Sequence, residues 1–531
     1  MVLNRRTLLR NSAALGAGLW LTPAWSMSHS SNRRRFHVCL NVDVLERDPD
    51  LLSIVRNAGV DTVWLAGFFY GHWPYSVERL QAAREKIEAA GMDAHIVNVP
   101  LGHPGDSLDA KDGNFPLTPP RSWKLACRPD GSTYAGTSLH APATAENISA
   151  LKTLREAGFS QFFLDDDFRL APAPGQIGGC FCPEHRDEFL RLGGYAEAKW
   201  NELLGDAQER RLTPLLRNWI EFQCDALTQS FREQQQAVGG GRLGIMVMYL
   251  GAEKAGIRLS DYRDVPFRVG ELMFDDASFG RVKGKTDELF SALMHRRFAR
   301  PELAFSESTA FPADRLSARN LAAKLAVSTL SDVRNTMFMS GITPFPRTHW
   351  ETLGPAMKRQ AEHHARLMGH TPHGPFKLYW GEAGRWVGDD QPFSLFLAAG
   401  VPFEVTDQPA KEGWTFLSDF DARALGNGTD TRAGTTFLHR PSARVNRPGN
   451  EPLEESLKAL FAFKQRIAPR LEQVPYVEEN VPVVCAWYPS ARSVLLWNLT
   501  EESQVLTLKF GESRRMVKIN ALETAWVGEV G

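Results

Sequence analysis

Asp61-Thr62-Val63-Trp64-Leu65-Ala66-Gly67-Phe68-Phe69 carries no charge after its first position and is rich in β-branched and aromatic residues. Such a run reads as a buried strand. An amphipathic stretch over 77–90 follows and closes at Gly91, where a left-handed residue ends a helix. The chain then turns apolar again over 93–99. Strand, helix and strand in that order imply parallel pairing through a crossover. The pattern also holds upstream: a strand over 36–44, a helix over 49–57, and Gly59 as the stop.

Working outward, further strands are expected over 161–166, 243–250, 271–274, 302–306 and 335–342. Helices are expected over 144–157, with Thr144 as N-cap and Gly158 as the stop, and over 315–330 and 350–368. Eight strand-helix units over about 300 residues predict a (β/α)8 TIM barrel spanning 36–370. An open doubly wound sheet is the rival, but the first strand is not followed by G-x-G-x-x-G. Beyond the barrel, apolar runs at 376–380, 403–406 and 414–417, with a helix expected over 391–399, predict a small α/β domain over 371–445. A Gly/Asn/Pro/Arg-rich stretch, a helix over 453–467 and strands at 481–488, 493–498, 504–510, 516–520 and 524–527 predict a helix plus a C-terminal antiparallel β-domain over 446–531.

Composition excludes several classes. The 531 residues hold 61 Lys and Arg against 62 Asp and Glu, a net charge of -1, so nucleic acid is not an expected partner. With 43% apolar residues the chain is not disordered. Its six cysteines are too few for a disulfide scaffold. Arg5-Arg6 precede an apolar stretch from Ala13 to Leu21, and Ala24-Trp25-Ser26 offers small residues for cleavage. Residues 1–26 therefore resemble a twin-arginine signal peptide, followed by a polar linker over 27–35. The expected location is periplasmic or secreted, with no membrane association once the signal is removed.

Barrel chemistry gathers at the C-terminal strand ends. The first expected strand ends with Asn41 and Asp43, and the second with Phe68, Phe69, Tyr70, His72 and Trp73. The third ends with Asn98 and leads to His103, and the fourth runs into Asp165-Asp166-Asp167-Phe168-Arg169. The sixth leads to Asp275-Asp276, and the seventh to Ser306-Glu307-Ser308. Alternation lets only one or two of three consecutive aspartates face the barrel mouth. They suit a general acid and a nucleophile of separated pKa, or equally a helix cap, a calcium site or salt bridges to Arg169. Glu307, flanked by small serines, would face strand four across the mouth, and two such carboxylates suit glycoside hydrolysis. The aromatics from Phe68 to Trp73 fit a sugar platform or plain core packing.

Cys180-Phe181-Cys182-Pro183-Glu184-His185 spaces soft ligands as C-x-C-x2-H, and Cys127 lies 53 positions upstream of Cys180. Thiolates and an imidazole suit a closed, structural zinc site. A disulfide from Cys127 to Cys180 or Cys182, or buried free thiols, are the other readings.

A lone cysteine, an acidic strand end, C-x-C-x2-ligand and then the Phe189-Leu190 helix together resemble the family 42 β-galactosidases, retaining glycosidases of clan A. The resemblance implies a TIM barrel, an amidotransferase-like α/β domain and a small β-domain. Carried over by position, it implies Asp167 as acid/base, Asp166 for the preceding Asn, and Glu307 as nucleophile. It also implies Cys127, Cys180, Cys182 and His185 as zinc ligands. An oligosaccharide or other glycoside is the implied substrate, with no organic cofactor, and family members are often oligomers. The family's Asn-Glu pair on strand four is Asp-Asp here, which leaves retention or inversion open. Asp43, Tyr70, His72, Asn98, His103, Asp165, Arg169, Asp275 and Asp276 are expected to contact substrate. The alternatives are an inverting enzyme with a strand-four aspartate as nucleophile or base, and a non-catalytic carbohydrate-binding barrel.

Overall fold

The computed structural model describes residues 33–102, 119–165, 168–270, 272–426, 435–445 and 449–530. The signal peptide, most of the linker, His103, Asp166 and Asp167 lie outside them.

Eight parallel strands close a barrel. They are β1 (Arg35–Leu40), β2 (Thr62–Phe69), β3 (Asp93–Val99), β4 (Phe162–Leu164), β5 (Leu243–Met248), β6 (Phe267–Gly270), β7 (Ala304–Thr309) and β8 (Asn335–Met339). Each pairs with its sequence neighbours, and β8 closes onto β1 through Arg35↔Asn335. Helices lie between most consecutive strands, so the strands sit under apolar cover as a parallel sheet requires.

The expected boundaries shift where caps intervene. β1 stops at Leu40 because the Asn41 side chain accepts the Val44 N–H at 2.7 Å and starts the short helix Val42–Arg47. The sixth strand is 267–270, not 271–274, and the seventh runs on to Thr309, which places Glu307 inside it. Thr144 is not an N-cap: helix Ala143–Glu156 starts after Pro142, and the Thr144 hydroxyl instead meets that of Ser230 at 3.1 Å. Gly59 is left-handed, as the helix stop requires, with φ +110. The stretch 391–399 holds no α-helix, only a 3-10 turn at Leu395–Ala398.

Past the barrel, Phe376–Tyr379, Phe403–Thr406, Gly413–Phe416, Thr435–His439 and Asn450–Pro452 form one parallel sheet. Helix Leu457–Ile467 leads to two three-stranded antiparallel sheets. One contains Gln504–Phe510 and Ser513–Ile519, and the other Val483–Tyr488, Ser493–Asn498 and Thr524–Gly528.

Alternation decides what fills the barrel. Cys39, Trp64, Val97, Phe163, Phe305, Met337 and Met339 form a separate cluster enclosed by the strands. Phe163 stacks edge-on to Phe305 at 5.0 Å and tilts against Trp64 at 4.8 Å. Two residues further along their strands, Asp165 and Glu307 share the faces of Phe163 and Phe305. The two carboxylates therefore lie one layer above the aromatic plug, toward the C-terminal ends. Among the described residues no helix is long and apolar enough to cross a membrane.

Candidate active site and metal centre

β6 supplies the residue that organises this layer. Arg268 sits between outward-facing Phe267 and Val269 and has no exposure. Its Nε lies 3.0 Å from Glu307 Oε2, and its Nη2 pairs with Asp165 Oδ1. Nη1 donates to Met337 Sδ at 2.8 Å, and the guanidinium lies over the Phe163 ring at 5.3 Å. The other Glu307 oxygen accepts the Thr309 hydroxyl at 2.6 Å. Both Glu307 oxygens are thus oriented, and the side chain is buried, with the residue 3% exposed. One guanidinium thus joins the carboxyl groups of Asp165, just after β4, and Glu307 on β7. Burial pushes the neighbouring Cys39 thiol up to about 12, which keeps it protonated and inert near neutral pH.

The other expected contact residues are distributed differently. Asp43 is paired with Arg79 at 2.5 Å, and Arg79 also pairs with Glu46 at 2.6 Å. The Asn98 Oδ1 accepts the Phe68 N–H at 2.8 Å and braces the irregularity in β2 between Ala66 and Phe69. Tyr70 is 2% exposed and packs against Trp123 at 6.2 Å, so its ring belongs to a small core with Phe68. Of that aromatic run Trp73 is the exposed member, at 40%, with Phe68 behind it at 5.2 Å. His72 returns the chain toward β2, its N–H donating to Phe69 O at 2.9 Å. Arg169 pins its own loop, with Nε donating to Ala171 O at 2.8 Å.

The structure gives Asp275 and Asp276 capping roles. They lie beyond β6 on a four-residue helix. Asp275 is its N-cap in a capping box with Ser278, whose hydrogen bonds hold the carboxyl below its ordinary range. The Asp276 carboxylate accepts the Ser317 N–H at 2.9 Å and Asn320 Nδ2 at 2.8 Å, at the start of helix Ala318–Leu330.

The second cluster lies on the loops after β3 and β4. A hairpin of Leu125–Cys127 and Thr133–Thr137 carries Cys127, and Cys182 is the N-cap residue of helix Pro183–Gly193. Cys182 Sγ lies 3.4 Å from His185 Nδ1 and 3.3 Å from His140 Nε2. Ligand atoms of His140, Cys182 and His185 all fall within 4.8 Å of one another. The two imidazoles stack at 4.4 Å. The Cys180 thiol contacts that of Cys182, an interaction that raises the pKa of Cys180 and lowers that of Cys182; the imidazoles act on Cys182 in the same direction. The six cysteines are all free, so the alternative reading of a disulfide from Cys127 to Cys180 or Cys182 is not met. Soft donors converging around one point fit a tetrahedral zinc.

Sequence reasoning missed Arg268 and His140. Arg268 was hidden because the sixth strand was expected four residues downstream. His140 precedes Cys180 by a long gap, and no spacing rule links it to C-x-C-x2-H.

No protein-family model matches the chain, and no curated protein does. Solved structures do. Two are of the GH42 β-galactosidase Gan42B, one a catalytic mutant of the G. stearothermophilus protein with a TM-score of 0.59 at 10% identity, covering 93% of this chain and 98% of that one. The other gives a TM-score of 0.58 at 10% identity with the same coverage. At that identity the likeness is one of fold, and it extends from the barrel through the C-terminal sheets.

Proposed function

We propose that the chain is an exported glycoside hydrolase, with Glu307 as nucleophile and a strand-four aspartate, Asp167 or Asp166, as acid/base. The observation that carries this reading is the buried Glu307 carboxyl on β7, held by Arg268 and Thr309, with Arg268 also reaching Asp165 at the head of the aspartate run that follows β4. The barrel fold shared with a β-galactosidase supports the substrate class. In the proposed reaction Glu307 attacks the anomeric carbon while the aspartate protonates the leaving oxygen. Arg268 and Thr309 aim the Glu307 carboxylate by holding one oxygen each. Asp165 then serves as counter-charge to Arg268 rather than as the acid. Water then attacks the anomeric carbon of the glycosyl-enzyme, the aspartate taking its proton as the bond to Glu307 breaks and the carboxylate leaves.

A panel of aryl glycosides followed by NMR reads sugar and stereochemistry together. Glu307→Gln is expected to lower hydrolysis at least ~100-fold with folding intact, and Glu307→Gly with azide is expected to yield a glycosyl azide. A wild type that hydrolyses no glycoside but binds sugar overturns the reading. Export is tested by replacing Arg5 and Arg6 with lysine and fractionating the cells; unchanged localisation rejects twin-arginine transport.

A further inference from the structure

We infer that Lys254 and Asp390 are positioning residues for hydrolysis: through this ion pair the chain beyond the barrel holds the loop that follows the strand-four aspartates, a role that rests on the glycosidase reading proposed above.

The loop over 168–180 begins directly after the aspartate run. One side of it is bonded to the end of β5 and to the turn Glu253–Ala255 that follows β5. The Phe168 N–H donates to Met246 O at 3.2 Å, the Leu170 N–H to Ala255 O at 2.9 Å, and the Gly178 N–H to Lys254 O at 2.6 Å. Main-chain bonds therefore carry the position of the turn into the loop.

The turn is itself held from beyond the barrel. Lys254 has no exposure, and its ammonium pairs with Asp390 at 2.6 Å. The same ammonium donates to Leu250 O at 3.2 Å and to Gly384 O at 3.4 Å, the second in helix Glu382–Val387. Glu253 pairs with Arg385 of that helix. The segment 387–390 also presses on the other side of the loop. Arg210 donates to Gly175 O at 2.6 Å and to Gly388 O at 2.6 Å. A Cβ on Gly175 would lie 3.0 Å from Asp390 Oδ2, so glycine lets the carboxylate lie against the loop backbone. Asp390 is left-handed, with φ +61. A non-glycine residue keeps that conformation where its surroundings over-determine it.

Burying two opposite charges adds little stability, because desolvation offsets their attraction, but it selects one arrangement. Here that arrangement is the loop wedged between the turn after β5 and the segment 387–390. A general acid must reach the leaving oxygen within hydrogen-bond distance, and a displacement of about 1 Å costs ~100-fold in rate. The anchor of the loop thus bears on proton delivery. Attack from β7 is aimed separately, by Arg268 and Thr309.

Leaving groups tell these two functions apart. An alkyl glycoside needs a proton from the acid, whereas a dinitrophenyl glycoside departs without one. In the full-length protein, Asp390→Asn is expected to lower kcat/KM at least ~10-fold for the alkyl glycoside and less than ~2-fold for the dinitrophenyl glycoside of the same sugar. Hydrogen exchange at the Leu170 and Gly178 amides is expected to quicken in the same variant. Lys254→Met combined with Asp390→Asn strands no charge, is expected to give the same split, and guards against an unfolded single variant. Glu455→Gln breaks a different contact between barrel and post-barrel chain, Lys283 to Glu455 at 3.1 Å, and is expected to leave the ratio of the two rates unchanged. Equal losses on both glycosides, the same split in Glu455→Gln, or unchanged exchange at Leu170 and Gly178 overturns the positioning role and leaves the glycosidase reading standing. A wild type inactive on both glycosides overturns that reading, and the role with it.

Discussion

Arg268 joins strands β4, β6 and β7 through a single guanidinium. It has no exposure and faces two carboxylates that are themselves buried. Removing one partner of such a group leaves charge stranded in low dielectric, which costs about 3–5 kcal/mol. Arg268→Met is therefore expected to lower unfolding free energy by that amount in urea titrations. Asp165→Asn together with Arg268→Met is expected to recover part of it, because fewer charges remain unpaired. A single Arg268→Met variant as stable as wild type would show that water reaches the layer. Thr309 differs in degree: it donates one hydrogen bond to Glu307, at 2.6 Å, and steers the carboxylate rather than neutralising it.

At the level of elements, capping decides what is site and what is scaffold. Asp275 holds a capping box on its short helix. Asp275→Ala is expected to cost about 1 kcal/mol of stability and to leave sugar binding and hydrolysis unchanged, as read by thermal melts beside substrate kinetics. A raised KM would return Asp275 to the site. The same elements show what the chain makes legible. Long apolar runs such as 62–69 and glycine stops such as Gly59 are local signals, and the barrel follows from them. Glu307 is legible because a carboxylate after Leu303-Ala304-Phe305 has no reason to be there except a polar interior. Arg268 is not legible, since β6 is four residues long and too short for alternation to register. His140 meets Cys182 only through the tertiary approach of two loops, and such an approach has no period.

Across the whole molecule, protonation sets the acid limit. His295 is buried between two backbone carbonyls, Ser291 O at 2.9 Å and Gly251 O at 3.1 Å. Burial pushes its pKa down to about 4 from an ordinary 6.5. The unfolded chain therefore binds the proton first. The contribution of His295 is complete above pH 6.5 and is lost as pH falls through about 4, and it is on the order of 3 kcal/mol. His37 and His95, at the other end of the barrel interior, are lowered in the same direction, chiefly by burial. Urea unfolding of wild type and His295→Gln between pH 8 and 4 is expected to show a shallower acid decline in the variant; parallel declines would assign the loss elsewhere. The barrel and the C-terminal sheets also share one continuous core. Buried Lys254, on a barrel loop, pairs with Asp390 at 2.6 Å, and the Tyr488 hydroxyl donates to Leu330 O at 3.3 Å. A protease that nicks the linkers finds no detachable piece, because each half supplies the other's dry side. Such a chain is expected to unfold in one step, the barrel and the C-terminal sheets losing their shared packing together.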